Sequence, residues 1–299
     1  MRSFTGAGRR RCRAEAARRA AARPRVARRS RILSAPSWIL LGSVLFGFGP
    51  AACGGAAQRE SPAADRASPS GRSFPAATKV RRTRTLGRSA DGRRLRVVEL
   101  GDRASNRSVL VVGCIHGDEC AGTAVTRRLL RGTAPREGLL WIVTDLNPDG
   151  RVAGTRVNGR GVDLNRNFPS EWRPLQRRGD PQYSGPRPLS EPETRAIARF
   201  IRARRPSVTI WFHQPQAVVR AWGASIRAAR RYARLAGVRF RRVRWPRGTA
   251  ANWQNHRFRG TSSFVVELAA GELGSAAAQR HAAAVRELAT GPPRRIAAD

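Results

Sequence analysis

Four runs of consecutive apolar residues are the strongest pattern in this chain. They are SVLVVGCI at 108–115, LLWIVTDL at 139–146, SVTIWFH at 207–213 and SSFVVELA at 262–269. Runs of this length without polar alternation are typical of strands that are buried on both faces of a sheet. They therefore predict four core strands.

Helical patterns lie between and after these runs. Apolar residues at helical spacing predict helices over about 121–130, 224–236 and 275–289. Ser190 and Glu193 have the spacing of a capping box, which predicts a helix that starts there and ends before Pro206. The alternation of helices with buried strands predicts an α/β sandwich around a mixed, mostly parallel sheet.

The folded region is expected to begin near Lys79. The segments RTRTLG and RRLRVVELG flank Ser89-Ala90-Asp91-Gly92, whose residue types predict a turn between two strands. The stretch 147–189 has no regular pattern and is long for a connection within a compact domain, which favours functional loops.

The N-terminal region has the layout of an export signal. An apolar stretch at 32–50 follows an Arg-rich run and precedes Ala51-Ala52-Cys53. Three Ser, three Gly and two Pro interrupt the stretch, which favours cleavage over retention as a membrane anchor. Cys53 resembles the lipidated cysteine of a bacterial lipoprotein, but Pro50 stands where an aliphatic residue is usual, so lipidation is left open. A translation start at Val26 would leave a signal of ordinary length.

These features divide the chain of 299 residues into four parts. A basic leader with the export signal covers 1–53, and a flexible tether rich in Gly, Ala, Ser and Pro covers 54–77. One folded catalytic domain is expected over 78–292, followed by a tail at 293–299. The expected location is the periplasm or the cell envelope, with Cys53 as the one point of attachment to a membrane if it carries lipid.

The net charge bears only on the kind of partner that this protein is expected to bind. The chain carries a formal charge of +38, and the twelve Arg and one Glu of residues 1–31 account for +11 of it. The remaining +27 is spread over helices and loops, and no nucleic-acid-binding signature is found, which argues against a nucleic-acid partner. An anionic envelope or an acidic substrate suits the same charge better.

Two cysteines fall in the folded region, Cys114 and Cys120. In an oxidising compartment they would close a disulfide around the segment 116–119, whereas the alternative is two buried thiols. The spacing alone leaves both open.

His116 and Glu119 follow the first core strand directly, in the turn where open α/β sheets place ligands. Catalytic zinc typically takes three protein ligands, of which His₂Glu is one set. Among the four histidines, His213 is the best third ligand because it ends an apolar strand. His281, on the terminal helix, is expected to be a surface residue, and His256, in a polar loop, is left open as a substrate contact.

Glu267 stands inside the apolar strand SSFVVELA. Burial of a lone carboxylate is costly, so a metal site or a charged partner is expected beside it. A carboxylate beside zinc can take a proton from water and pass it to a leaving amine, which makes Glu267 the candidate general base.

The ordered motifs resemble the zinc carboxypeptidase family. They are His116-x-x-Glu119, Asn147-Pro148-Asp149-Gly150, Val162-Asp163-x-Asn165-Arg166-Asn167, His213 and Glu267-Leu268. The resemblance runs from about Ser108 to Leu268 and implies that family's fold, a three-layer α/β sandwich with a mixed, mostly parallel central sheet. It also implies one Zn²⁺ per chain.

The resemblance assigns further residues by position. Asn165 and Arg166 match the pair that binds the terminal carboxylate of the substrate, and Asp163 matches the carboxylate that orients the first zinc histidine. Arg156 matches the Arg that polarises the scissile carbonyl, with Arg160 as the alternative. The family's substrate-capping Tyr has no convincing counterpart in Tyr183 or Tyr232, and Trp245 or Trp253 is expected to cover that side.

Within the family, GTRVNGRGVDLNRNFP and the His213-Gln214-Pro215 ending are similar to the bacterial murein peptide amidases. That similarity implies hydrolysis of the γ-D-glutamyl-diaminopimelate bond in cell-wall peptides. The alternatives are a general metallocarboxypeptidase, an N-acyl amino acid deacylase and a noncatalytic envelope-binding lipoprotein. The oligomeric state and the side-chain preference are left open.

Overall fold

The computed structural model describes residues 79–291. Its strands are β1 Lys79–Arg88, β2 Arg94–Asp102, β3 Ser108–Val112, β4 Leu139–Val143, β5 Val208–His213, β6 Gln216–Ala221, β7 Arg239–Arg242 and β8 Ser262–Ala269. Its helices are α1 Gly122–Arg131, α2 Pro148–Ala153, α3 Pro192–Arg204, α4 Ile226–Ala236, α5 Ala250–Arg257 and α6 Ser275–Thr290. The leader with Cys53, the whole of the tether and the tail lie outside these residues.

The eight strands form one sheet in the order β1-β2-β4-β3-β5-β8-β6-β7. The four strands at its centre, β4, β3, β5 and β8, run parallel and are the four apolar runs of the sequence. The hairpin of β1 and β2 adds antiparallel strands at one side, and β6 pairs antiparallel with β8 at the other. The predicted mixed, mostly parallel sheet is confirmed.

Helices cover the sheet because its central strands have no solvent-facing side. Every residue of β3 and β4 is buried, which requires cover on both faces. Helix α6 contacts both α1 and α4, whereas α3 packs on β1 and α5 packs on β8. Among residues 79–291, no helix is both long and apolar enough to cross a bilayer.

The capping box expected at Ser190 is wrong. The cap position belongs to Glu191, and Pro192 fills the first turn of α3, where a missing N–H costs nothing. The Ser190 hydroxyl instead donates a hydrogen bond to Glu191 Oε1 at 2.7 Å. The helix therefore starts through the fixed backbone angle of proline and not through a side-chain cap.

Candidate metal centre

The candidate site lies where three parallel strands end. The loop with His116 and Glu119 follows β3, His213 is the last residue of β5, and Glu267 lies near the end of β8. His213 and Glu267 are direct neighbours in the parallel register of β5 and β8. The carboxyl ends of parallel strands share one edge of the sheet, so residues far apart in the sequence meet there.

His116, Glu119 and His213 offer ligand atoms that all lie within 4.8 Å of one another. Glu119 Oε2 lies 3.1 Å from His116 Nδ1 and 2.9 Å from His213 Nδ1. Both histidines are buried, with 1% and 4% of their surface exposed. Two imidazole nitrogens and one carboxylate oxygen at this separation fit a metal ion, and they are the His₂Glu set that zinc takes.

Asp163 contacts the ring nitrogen of His116 that does not face Glu119, and this contact favours a ligand role for His116. Its Oδ1 lies 2.9 Å from His116 Nε2, which holds the proton on that nitrogen and leaves Nδ1 free to bind a cation. Asp163 is fully buried. Although burial opposes ionisation, the hydrogen bond from His116 and the charges of Arg156 and Arg166 hold the pKa of Asp163 well below its usual range.

His213 is suited to a ligand role because its imidazole is neutral at neutral pH. Burial, together with the nearby His116 ring, lowers the pKa of His213 to about 4. A metal binds the neutral form of imidazole, so His213 has its lone pair available at neutral pH.

Glu267 lies beside the three candidate ligands, and one of its two carboxylate oxygens is hydrogen-bonded. Its Oε1 accepts a hydrogen bond from Arg220 Nη1 at 3.3 Å, while its buried Oε2 has no hydrogen-bond partner among residues 79–291. Burial and the nearby Glu119 charge raise the pKa of Glu267. A carboxylate with a free oxygen and a raised pKa can accept a proton.

A cavity of about 310 Å³ opens over these residues. Besides the three candidate ligands and Glu267, its walls carry polar and cationic side chains at Arg156, Asn165, Arg166, Gln214, Gln216, Arg220 and Thr249, together with Pro215, Trp245, Pro246 and Val265. The predicted metal ligands, the predicted base, Arg156, Asn165 and Arg166 thus line one cavity, whereas Asp163 does not line it.

Arg156 and Arg160 occupy different surroundings. The Arg156 guanidinium donates to Glu119 Oε1 at 2.6 Å and to Asp163 Oδ2 at 2.9 Å, at the edge of the metal set. Arg160 is exposed and lines a separate cavity with Tyr183 and Glu191. Of the two alternatives, only Arg156 faces the candidate site.

Asn165 and Arg166 lie side by side on a short 3-10 turn over Leu164–Arg166, which the Asp163 side chain caps. Asn165 Oδ1 accepts a hydrogen bond from the N–H of Ala250 at 3.0 Å, which fixes the amide against the start of α5. Arg166 Nη1 donates to the Asn165 carbonyl at 2.8 Å, and both Asn165 and Arg166 line the cavity. The pair can therefore bind an anion.

The sequence from 74 to 236 matches the family model described as zinc carboxypeptidase. The chain belongs to the zinc carboxypeptidase family. Murein peptide amidase A of Escherichia coli K12 is 35% identical over 127 residues, which cover 39% of this chain and 52% of that protein. Human carboxypeptidase A6 is 30% identical over 161 residues, covering 43% and 37%. The chain spans about half the length of the murein peptide amidases that it matches.

Two solved structures have a similar fold. The murein-tripeptide amidase of Escherichia coli O157 is 26% identical, covers 71% of this chain and 93% of its own, and has a TM-score of 0.58. A carboxypeptidase A from Helicoverpa armigera, at 16% identity, covers 70% and 68% with a TM-score of 0.62 and shares the fold.

The zinc carboxypeptidase fold holds the ligand loop in place through close backbone packing. A Cβ on Gly117 would lie 2.0 Å from the carbonyl carbon of Gly150, so only glycine lets the loop approach α2. Cys114 and Cys120 form a disulfide across the same loop, with Cα atoms 4.7 Å apart. Of the two alternatives for these cysteines, the structure contains the bridge.

The placement of His281 at the surface is wrong. His281 is 6% exposed, and its Nδ1 accepts a hydrogen bond from the Tyr232 hydroxyl at 2.7 Å. The burial of His281 could not be predicted from the Ala-rich sequence around it, because small residues on both sides of a helix give no clear buried face. Tyr232 is thereby part of the core and does not reach the cavity.

The remaining aromatic and histidine candidates differ in whether they line the cavity. Trp245 lines the cavity, whereas Trp253 packs against Phe168 and lies outside it. His256 is exposed on α5, which forms where a polar loop was expected, and it does not line the cavity. Tyr183 lines the separate cavity near Arg160.

Sequence reasoning missed Gln214 and Arg220. The Gln214 side chain accepts from the N–H of Ala121 at 2.9 Å and donates to the carbonyl oxygens of Ala269 and Gly271, so it ties α1 to the end of β8. Arg220 lies in β6, which is short and partly exposed. The signal that could have found it is an arginine within the otherwise apolar AVVRA, where an unpaired charge needs a reason.

Proposed function

We propose that this protein is a zinc-dependent amidase that hydrolyses an amide bond near a free carboxylate, with one Zn²⁺ per chain. The observation that carries the proposal is the meeting of the His116, Glu119 and His213 donors with the free Oε2 of Glu267 on one cavity. Family membership supports it, because the relatives that this chain matches are carboxypeptidases and amidases.

Each residue has a physical role in this reaction. Bound at His116, Glu119 and His213, zinc would polarise the substrate carbonyl and lower the pKa of water. Glu267 Oε2 takes the proton of the attacking water and returns it to the nitrogen of the leaving amine. The Arg156 guanidinium stabilises the charge that develops on the carbonyl oxygen, and Asp163 keeps the His116 ring in its ligating orientation.

Asn165 and Arg166 orient the substrate. The guanidinium forms a fork that matches the two oxygens of a carboxylate, so it fixes both position and direction. With the terminal carboxylate held there, the neighbouring amide lies over the candidate metal set in the same cavity. An oriented substrate is what makes hydrolysis fast and restricts it to one bond.

The preferred substrate is a cell-wall peptide cleaved between γ-D-glutamate and diaminopimelate. Support comes from the 35% identical murein peptide amidase A and from the cationic walls of the cavity, which suit an acidic peptide. An exported enzyme, held in the envelope by Cys53 if that residue carries lipid, would meet this substrate. The alternatives are general carboxypeptidase activity and deacylation of N-acyl amino acids.

Glu267→Gln tests the proposal most directly. The variant keeps the shape of the site but cannot accept a proton, so turnover of a muropeptide should fall about 10²- to 10⁴-fold. Zinc content, measured by atomic emission, should stay at one ion per chain because Glu267 is not a ligand. Glu272→Gln is the matched control, since this exposed glutamate lies outside the cavity and its loss should leave both readings unchanged.

Product analysis separates the alternatives. Muropeptide, a peptide with a free C-terminus and an N-acyl amino acid are incubated with the zinc-loaded protein, with and without a chelator. Chelator-sensitive release from the muropeptide is expected. If no chelator-sensitive release occurs from any of the three, the enzyme proposal is rejected in favour of a noncatalytic envelope-binding protein.

A further inference from the structure

Arg220 enters the cavity from a strand that carries none of the motif residues. β6 runs antiparallel to β8, with Arg220 opposite Val265 and Val218 opposite Glu267. Residues directly opposite in an antiparallel pair lie on the same face, and so do residues two apart along one strand. Arg220 therefore shares a face with Val265 and Glu267, and all three line the cavity.

The contacts of Arg220 leave most of its hydrogen-bonding capacity free. Its one carboxylate contact among residues 79–291 is the 3.3 Å bond to Glu267 Oε1. By contrast, the Arg156 guanidinium lies within 2.9 Å of two carboxylates. A guanidinium has five N–H donors, so Arg220 can receive another anion without releasing Glu267.

The charge of the cavity favours such an anion. Three guanidinium groups, those of Arg156, Arg166 and Arg220, line it against the two carboxylates of Glu119 and Glu267. The charge of Arg220 also reaches Arg166, where burial and the neighbouring cations lower the pKa of the guanidinium. One bound carboxylate at Arg166 would still leave the positive charge of Arg220 without a strong partner.

We propose that Arg220 is a specificity-determining residue that binds a second carboxylate, carried by the side chain of the residue that hydrolysis releases. This inference rests on the proposed function, which places the terminal carboxylate of that residue at Asn165 and Arg166. The cavity of about 310 Å³ contains Arg166 and Arg220 together, so one residue with an acid at each end can contact both. Diaminopimelate has this form, and lysine is the same residue without the second carboxylate.

Matched substrates test this proposal. The tripeptide L-alanyl-γ-D-glutamyl-diaminopimelate is compared with its lysine analogue, which differs by that carboxylate. The Arg220→Gln variant should lose about 10- to 100-fold in kcat/KM on the diaminopimelate tripeptide, the usual cost of a lost charged hydrogen bond, and little on the lysine tripeptide. Arg220→Lys should recover part of the loss because it restores the charge without the fork.

Arg241→Gln is the matched control. Arg241 pairs with Arg220 in the register of β6 and β7, is exposed and does not line the cavity, so it removes the same charge one strand away. It should leave the preference for the diaminopimelate tripeptide intact. An equal fall on both tripeptides in Arg220→Gln would overturn the proposal, because Arg220 would then act only through Glu267. An unchanged kcat/KM on both would overturn it as well.

A binding measurement separates this inference from the proposed function. Free diaminopimelate and free lysine are titrated calorimetrically into the full-length protein, the Arg220→Gln variant and the Arg241→Gln variant. Diaminopimelate should bind more tightly than lysine only when Arg220 is present. Arg220-dependent binding without hydrolysis of either tripeptide would reject the amidase and keep the second carboxylate site, whereas hydrolysis with no Arg220 dependence would do the reverse.

Discussion

The buried pair of Tyr232 and His281 shows how a single side chain can respond to pH. The Tyr232 hydroxyl donates to His281 Nδ1 at 2.7 Å, and the His281 ring stands edge-on to Phe212, the neighbour of His213. Burial, with the charge of Arg280, lowers the pKa of His281 to about 4. The folded protein therefore contains this histidine in its neutral form at physiological pH.

His281 should make the fold sensitive to mild acid. The unfolded chain binds a proton near pH 6.5, whereas the folded protein binds it only near pH 4. The contribution of the neutral His281 is thus complete above about pH 6.5 and is lost as the pH falls toward 4, by an amount on the order of 3 kcal/mol.

His281→Gln should flatten this part of the pH dependence. Glutamine can still accept the Tyr232 hydrogen bond but does not titrate. The free energy of unfolding, measured by urea denaturation between pH 7 and pH 4.5, should fall less steeply in the variant than in the unmodified protein. His256→Gln, which removes an exposed histidine, is the control; equal slopes in all three proteins would contradict the prediction.

At the scale of elements, α2 connects the hairpin of β1 and β2 to the loop that carries His116 and Glu119. Its Asp149 is 3% exposed and accepts hydrogen bonds from Ser89 Oγ at 2.7 Å, the N–H of Asp91 at 3.0 Å and Arg93 at 2.6 Å. The same helix packs its Gly150 against Gly117 of the ligand loop. The Asn-Pro-Asp-Gly motif thus holds the turn between β1 and β2 beside the candidate metal centre.

Asp149→Ala should destabilise the fold. The change leaves the buried Ser89 hydroxyl and the Asp91 N–H without their acceptor, at a cost of about 1–3 kcal/mol. The midpoint of chemical denaturation should fall accordingly. Asp102→Ala is the control, because within residues 79–291 the Asp102 carboxylate accepts only the local N–H of Ala104, and its loss should cost less than about 0.5 kcal/mol. Similar losses in both variants would argue against a linking role for Asp149.

The elements that the pattern missed share a physical cause. The four central strands are continuous apolar runs because both of their faces are covered, and the sequence predicts each of them. β7, with the sequence RFRR, is the exposed edge of the sheet, so its residues do not need to be apolar. α5 mixes polar and apolar residues with no dominant face, and its start is defined by the Thr249 cap.

At the scale of the whole molecule, the site couples strands that are distant along the chain. The candidate ligands come from the loop after β3 and from the end of β5, and Asp163 contacts His116 from the long loop that precedes α3. An ion bound to all three ligands would stabilise the folded state alone, because the unfolded chain cannot gather them.

Zinc should therefore raise the thermal midpoint of the protein in a concentration-dependent way. Free zinc at about one hundred times its Kd adds about 2.7 kcal/mol to the free energy of unfolding. Calorimetric scans of chelator-treated protein with added zinc measure the shift. His213→Gln should abolish most of the shift, whereas His256→Gln should retain it; a shift that survives in His213→Gln would place the ion elsewhere.

The sequence by itself determined the buried strands and the parallel core, and it predicted most of the side chains that the structure brings to one cavity. Apolar runs, and the polar residues that follow or interrupt them, report burial and strand ends directly. Only the tertiary structure decided which of these side chains lie in contact with one another. It put Arg156 and not Arg160 at the candidate metal centre, buried His281 beside Tyr232, and brought Arg220 to Glu267. These contacts join residues far apart in the chain, and their distances depend on strand register and helix packing, which no local pattern encodes.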